Sequence, residues 1–240
     1  MSESTVYLKV NRVSQAVCRK AADASVADLH EAMGTAGRKA LMSPCMRPIS
    51  DGIRIAGPAV TAFCWPGDNL MMHRALYLAQ AGDVLVVVCD SDSGAQWGDL
   101  AATYAKQKGL AGVVVHGAVR DVDQLRRLGS AVWATTISPI HPDKRGHGSV
   151  NAPVVCDGVL VNPGDLVVAD GDGVLCIPKP QAEQVVDAAL ARMRKEDEAA
   201  AKVRGGAAVW ELSGAAASYA ALTGVREIDA AFDDPGNTAG

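Results

Sequence analysis

Aromatic side chains are scarce in this sequence: two Phe, four Tyr and four Trp make up 4% of its 240 residues. The core must therefore be built from Val, Ala, Leu and Ile, which argues against an aromatic-lined cofactor cavity. An excess of either charge is missing too. Lys+Arg 23 against Asp+Glu 27 leaves a formal net charge of -4, so the chain carries no basic footprint for nucleic acid or an anionic membrane surface. An anionic substrate has to be met by locally placed positive groups. No uninterrupted apolar segment is long enough to span a bilayer, and no basic cluster followed by an apolar stretch opens the chain. The six cysteines, Cys18, Cys45, Cys64, Cys89, Cys156 and Cys176, include no C-x-x-C pair. They read as reduced core thiols of a cytoplasmic protein. Also absent are a glycine-rich nucleotide loop followed by an acidic ribose contact, which disfavours a methyltransferase, and any internal repeat.

What is present is a hydrophobic fraction of 49%, enough for a sizeable core. The stretch from Ser14 to Met33 reads as two short helices, the second opened by Ser25 with Asp28 three residues on and closed by Gly34. Ile53 to Trp65 is strand-like, and Asp68 is a natural N-cap for a helix carrying Met72, Leu76 and Ala79. Val84–Val88 and Val113–Val115 are β-branched runs of the kind buried on both faces, with helices after each. The alternation predicts an α/β core with parallel crossovers. From Val150 to Ile177, short apolar runs are separated by Asp157-Gly158, Pro163-Gly164-Asp165 and Asp170-Gly171-Asp172-Gly173, which predicts an antiparallel segment. A long helix is expected from about Gln181 to Val203, ended by Gly205-Gly206. We read residues 1–204 as one domain and 205–240 as a C-terminal extension with a mobile polar tail, Asp233 to Thr238.

The stretch Gly112 to Asp121 is the most informative. A buried strand delivers the chain to its carboxyl edge, where α/β sheets hold ligands, and Arg120 and Asp121 then stand side by side. Asp121 can ligate a hard cation, while Arg120 offers a rigid fork of donors to a carboxylate or enolate oxygen. The same pattern fits a plain N-cap at Asp121 beside a solvated Arg120. Trp97-Gly98-Asp99-Leu100 opens a helix whose first backbone N–H groups favour an anionic group, with Asp99 placed to hold a metal-bound water. A capped helix with a core Trp97 fits as well. The loop holding His141, Lys144, Arg145 and His147 collects positive charge, but two histidines six apart do not match a zinc spacing. Asp170 to Gly173 begins like a calcium loop yet runs into a strand, so it reads as a hairpin turn. Arg194 to Glu198 reads as a solvated helix face.

Gly112 to Asp121, taken with Trp97 to Leu100 and the strand from Asp170 to Pro178, resembles the family that joins the class II 4-hydroxy-4-methyl-2-oxoglutarate / 4-carboxy-4-hydroxy-2-oxoadipate aldolases to the regulator of RNase E activity A. The likeness runs from about Asp23 to Glu198, and Gly67 to Ala75 is similar to the aldolase branch. It implies a layered α-β-β-α sandwich with a mixed sheet core, assembled as a homotrimer or homohexamer with sites between subunits. It implies Asp121 as the direct Mg2+ or Mn2+ ligand, Arg120 as the substrate-binding, enolate-stabilising residue, and Asp99 as the holder of metal-bound water. The backbone at Gly98 and Leu100 would receive the pyruvyl carboxylate. Glu196 of a neighbouring subunit would reach the metal waters, with Glu198 as the alternative, and Lys144 falls in the family's variable substrate loop.

The activity so implied is metal-dependent retro-aldol cleavage of a 4-hydroxy-2-keto di- or tricarboxylic acid to pyruvate and a second keto acid, in aromatic-acid catabolism, with oxaloacetate decarboxylation as a side activity. The alternatives are a non-catalytic oligomeric regulator that binds an RNA-degrading enzyme, and a dedicated oxaloacetate decarboxylase. The joint presence of Asp99, Arg120, Asp121 and Glu196 favours the enzyme.

Overall fold

The structure is a computed structural model that describes residues 4–89, 91 and 93–231. In chain order the elements are β1 (Thr5–Val6), α1 (Gln15–Ala21), α2 (Val26–Ala32), α3 (Gly37–Ala40), β2 (Arg47–Pro48), β3 (Ile55–Cys64), α4 (Leu70–Leu78), β4 (Val84–Val88), α5 (Asp99–Lys108), β5 (Gly112–Val119), α6 (Val122–Arg127) and β6 (Val132–Ile137). The short strands β7 (Gly148–Val150), β8 (Val154–Cys156), β9 (Val159–Val161), β10 (Leu166–Ala169) and β11 (Val174–Ile177) follow, then α7 (Ala182–Arg204), α8 (Val209–Leu212) and α9 (Ala215–Ala220).

The β-branched runs form the middle of the sheet, as their composition predicts. β4 is buried along its whole length and pairs in parallel with β3 on one side and β5 on the other. β5 pairs in parallel with β6, whose half-buried sequence had not announced a strand. The order across this part of the sheet is β1-β7-β3-β4-β5-β6-β2. β3 belongs to two neighbourhoods: Ala59–Phe63 runs parallel to β4, whereas Ile55–Pro58 pairs antiparallel with β10, which in turn forms a hairpin with β11.

Three apolar cores separate four layers. Because side chains alternate along a strand, Leu85, Val87, Val113 and Val115 face Met72, Leu76, Ala102 and Leu125 of α4, α5 and α6. Val84, Val86, Val88 and Val114 face the other way, onto Val154, Val159, Val161, Val167 and Val174. The opposite faces of β10 and β11, through Leu166, Val168, Leu175 and Ile177, then pack on Val17, Leu29, Val186 and Ala189 of α1, α2 and α7. The result is the α-β-β-α layering with a mixed sheet that the resemblance implied.

Local signals explain several junctions. Ser25 and Asp28 form the expected capping box at α2. Asp170 to Gly173 is the hairpin turn between β10 and β11, and the buried Asp170 carboxylate also accepts the Val26 N–H at 2.9 Å. Asp83 is fully buried and takes a forked pair from Arg12, Nε at 2.7 Å and Nη2 at 2.8 Å, together with the Gln80 N–H at 2.7 Å. Two expectations need correction. Cys45 is exposed, whereas the other five cysteines are buried, and among the described residues none is disulfide-bonded. Asn69, not Asp68, holds the backbone N-cap position of α4 and makes no side-chain capping bond; Asp68, one residue earlier, accepts the Leu70 N–H and also reaches a later loop.

The chain divides into two compact units, 1–193 and 194–240, with the division inside α7. In the first unit α7 is tied down by ion pairs from Arg192 to Glu31 and from Lys20 to Asp187. The second unit holds the rest of α7 with α8 and α9, where Trp210 and Tyr219 meet edge to face at 5.4 Å. The tail expected to be mobile lies outside the described residues. Among those described, no helix is long and apolar enough to cross a membrane.

Candidate active site

β5 is longer than β4, and its last residues gain a further neighbour. Trp97 bridges Val119 in parallel fashion, with the Gln96 N–H donating to the Ala118 carbonyl at 2.7 Å and the Arg120 N–H to the Trp97 carbonyl at 2.9 Å. That short ladder brings the start of α5 beside Arg120 and Asp121, residues more than twenty positions away in the chain.

Asp121 is left-handed, with φ 58° and ψ 37°, a conformation that Asp tolerates better than most residues. It occupies the N-cap position of α6, yet its side chain makes no capping bond. Oδ2 instead accepts the Asp99 N–H at 3.3 Å and lies 3.4 Å from Arg120 Nε. The plain N-cap reading therefore describes the backbone of Asp121 and not its carboxylate. Gly98 permits the approach: a Cβ there would stand 2.5 Å from Asp121 Oδ2 and 3.3 Å from Arg120 Cγ. The Leu100 N–H, expected to face a substrate carboxylate, donates to Asp99 Oδ1 at 2.6 Å. Two protein carboxylates thus gather at the N-terminus of α5, as its dipole favours. Arg120 Nη1 reaches His141 Nδ1 at 3.4 Å.

These groups line one pocket of about 400 Å³ in which Gly98, Asp99, Leu100, Arg120 and Asp121 all appear. Asn69, His73, Tyr104 and Lys144 join them. The charge of Lys144 is evident in the sequence, whereas nothing in the motifs marks the other three as site residues. The available signal was helical spacing: Asn69 and His73 stand four apart, as do Leu100 and Tyr104, so each pair shares a helix face directed at the same strand edge. Burial holds the His73 imidazole below its ordinary range, and the nearby Lys144 ammonium adds to this while Asp68 opposes it. Glu196 and Glu198 are exposed on α7 and belong to the second unit, whereas every lining residue of the pocket belongs to the first.

Among the described residues, no group of three His, Cys, Asp or Glu side chains stands ready to hold a metal ion. A hard cation such as magnesium keeps several waters and is commonly bound through one or two carboxylates plus substrate oxygens. Asp121 and Asp99, two carboxylates lining one pocket and linked through the Asp99 N–H, fit that mode.

A four-layer α/β chain with this corner at the carboxyl edge of its sheet has known counterparts. Residues 26–176 match the RraA-like family model, Aldolase/RraA, and the chain belongs to that family. A protein of Halalkalibacterium halodurans provisionally named 4-hydroxy-4-methyl-2-oxoglutarate aldolase is 37% identical over 159 residues, covering 66% of this chain and 75% of that one. A Burkholderia multivorans protein with the same provisional name is 39% identical over 160 residues, covering 64% and 94%. Among solved structures, Streptomyces coelicolor RraAS2, described as an unusual member of the RNase ES inhibitor RraA protein family, superposes with a TM-score of 0.71 at 32% identity, covering 80% of this chain and 98% of that one.

Proposed function

We propose that the protein is a divalent-cation-dependent lyase that cleaves a 4-hydroxy-2-keto di- or tricarboxylic acid to pyruvate and a second keto acid. The observation that carries this reading is the convergence of Arg120, Asp121 and Asp99 on one pocket around Gly98, where a Cβ would press directly on the Asp121 carboxylate. The names of the curated relatives support a lyase.

Asp121, with Asp99 beside it, would hold the cation, which when bound supplies Lewis-acid polarisation of the substrate's C1 carboxylate and C2 carbonyl. The Arg120 guanidinium meets the C2 oxygen, where negative charge grows as the C3–C4 bond breaks. A donor placed there accelerates reaction because it binds more tightly in the transition state than in the ground state. Because the Asp99 and Leu100 N–H groups are already engaged by protein carboxylates, the anionic keto-acid end is left to the cation and the Arg120 guanidinium. Asp99 takes and relays the proton leaving the C4 hydroxyl, which becomes a carbonyl. The bonding electrons pass to the pyruvyl fragment as its enolate, and a proton added at C3 completes pyruvate. Oxaloacetate, losing carbon dioxide, reaches the same enolate without a base and is expected as a secondary substrate. Assembly as a trimer or hexamer, with Glu196 arriving from a neighbouring copy, belongs to the same proposal.

The test is a coupled pyruvate-release assay over 4-hydroxy-2-keto di- and triacids and oxaloacetate, with and without a chelator. Asp121→Ala should abolish metal activation. Arg120→Lys should recover little of the activity lost in Arg120→Ala, because the forked donor geometry is gone. Metal activation persisting in the Asp121 variant, or near-normal turnover in the lysine variant, would remove these residues from the site. The likeness to RraAS2 favours a second reading, a regulator of an RNA-degrading enzyme. Inhibition of such an enzyme without release of pyruvate from any substrate would establish it. Turnover of oxaloacetate alone would mark a dedicated decarboxylase.

A further inference from the structure

The segment between β6 and β7, from Ser138 to His147, has no regular structure of its own, yet it supplies Pro142 and Lys144 to the pocket. Several backbone hydrogen bonds anchor it, and one side chain, Asp68 in the turn between β3 and α4, fastens the stretch around Lys144. Asp68 is 3% exposed, so its carboxylate must be satisfied by the protein. Oδ1 accepts the Leu70 N–H at 2.7 Å, and Oδ2 accepts both the Arg145 N–H and, at 2.7 Å, the Gly146 N–H. The backbone repeats the link on either side: the Asn69 N–H donates to the Asp143 carbonyl at 3.0 Å, and the Asp143 N–H to the Gly67 carbonyl at 2.8 Å. Gly146 is needed for this approach, since a Cβ there would stand 2.7 Å from Asp68 Cβ and Cγ. The clasped loop places Lys144 where its charge is felt at His73 on α4.

We infer that Asp68 is the positioning residue that sets how the pocket receives the far end of its substrate. The inference rests on the keto-acid reading above. Arg120, Asp121 and Asp99 engage the keto-acid end, whereas the clasped stretch from Asp143 to Gly146 carries the Lys144 cation that a distal carboxylate requires. His141, which touches Arg120, precedes the clasped stretch, so loosening the clasp acts mainly on the distal end. The substrate class that depends on Asp68 is therefore the longer hydroxy keto acid with a carboxylate beyond C4, and oxaloacetate, which is shorter, depends on it little.

Asp68→Asn keeps an acceptor for Leu70 but replaces the other oxygen with an NH2 group facing two N–H donors. Gly146→Ala forces the same two segments apart and leaves the carboxylate in place. With the full chain in magnesium, both variants should raise KM for 4-carboxy-4-hydroxy-2-oxoadipate about tenfold, the scale of one lost charge-assisted contact, with kcat retained. KM for oxaloacetate should stay within about threefold, a loss of uniform binding confined to one substrate. Both variants should also be cut by trypsin at Lys144 and Arg145 faster than the parent, at temperatures well below their melting midpoints. Equal losses on the two substrates, or undiminished protection from trypsin in both variants, would overturn the inference. A parent protein that releases pyruvate from nothing would refute the keto-acid reading, and the trypsin comparison would still decide whether Asp68 clasps the loop.

Discussion

Gly98→Ala isolates the geometry of the candidate site from the stability of the fold. The residue is extended, with φ -159° and ψ -171°, so alanine adopts its backbone without strain. The change alone should stabilise slightly, by about 0.4–1 kcal/mol, because the unfolded chain loses freedom. The added Cβ, however, would lie 2.5 Å from Asp121 Oδ2 and 3.4 Å from Arg120 Nε. Atoms so placed must separate by roughly half an ångström or more, and the carboxylate at the end of a rotatable side chain is what yields. A displacement of about 1 Å in a reacting constellation costs on the order of 100-fold in rate, equivalent to roughly 2.7 kcal/mol of activation free energy. The variant should therefore melt at or slightly above the parent's temperature and release pyruvate about 100-fold more slowly at saturating magnesium. Turnover within about threefold of the parent, in a protein shown to be folded by its melting curve, would refute the placement of Asp121 and Arg120 at the reacting centre.

Other consequences can be checked independently. Asp83→Ala leaves Arg12 without its partner in a largely buried setting and should cost about 3–5 kcal/mol, read as a lower urea midpoint at an unchanged slope. Because the native His73 value lies below the ordinary 6.5, the native state binds fewer protons there than the unfolded chain. Stability is therefore lost as the pH falls below the ordinary value and through the native one. Lys144→Met should move the His73 titration upward in an NMR experiment, and a downward shift would contradict the arrangement. Burial raises the thiol of Cys18 to about 11 and that of Cys64 to about 12, and Cys156 and Cys176 are raised as well. A thiol reagent at neutral pH should find one fast group, Cys45, in the native protein and all six cysteines after unfolding.

The parts of the fold that could be read in advance are those where local chemistry and tertiary role coincide. Val84–Val88 has one physical solution, a strand covered on both faces, and Ser25 with Asp28 closes its own hydrogen-bond circuit without help from elsewhere. β6 escaped because Val132–Ile137 is buried at one end and exposed at the other, so no pattern runs its length. α8 and α9 escaped because each is too short to show a helical period. That Arg120, Asp121 and Asp99 would stand near one sheet edge was legible, since strand ends and helix starts announce themselves in sequence, whereas their sharing one pocket came only with the fold. Asn69, His73 and Tyr104 were not legible, because their membership depends on α4 and α5 facing the same opening. Asp68 shows the limit most clearly. As a single residue before a helix it looks like a cap, and only the distant return of the chain at Arg145 and Gly146 gives it another duty.

The split allegiance of β3 has a mechanical consequence. One continuous strand is stitched to β4 through its second half and to β10 through its first, so each of the two β layers borrows part of its hydrogen bonding from the other. Neither layer can open alone without tearing a segment that the second still needs. The first unit should accordingly unfold as one piece, and its most persistent amides in hydrogen exchange should lie along 55–64.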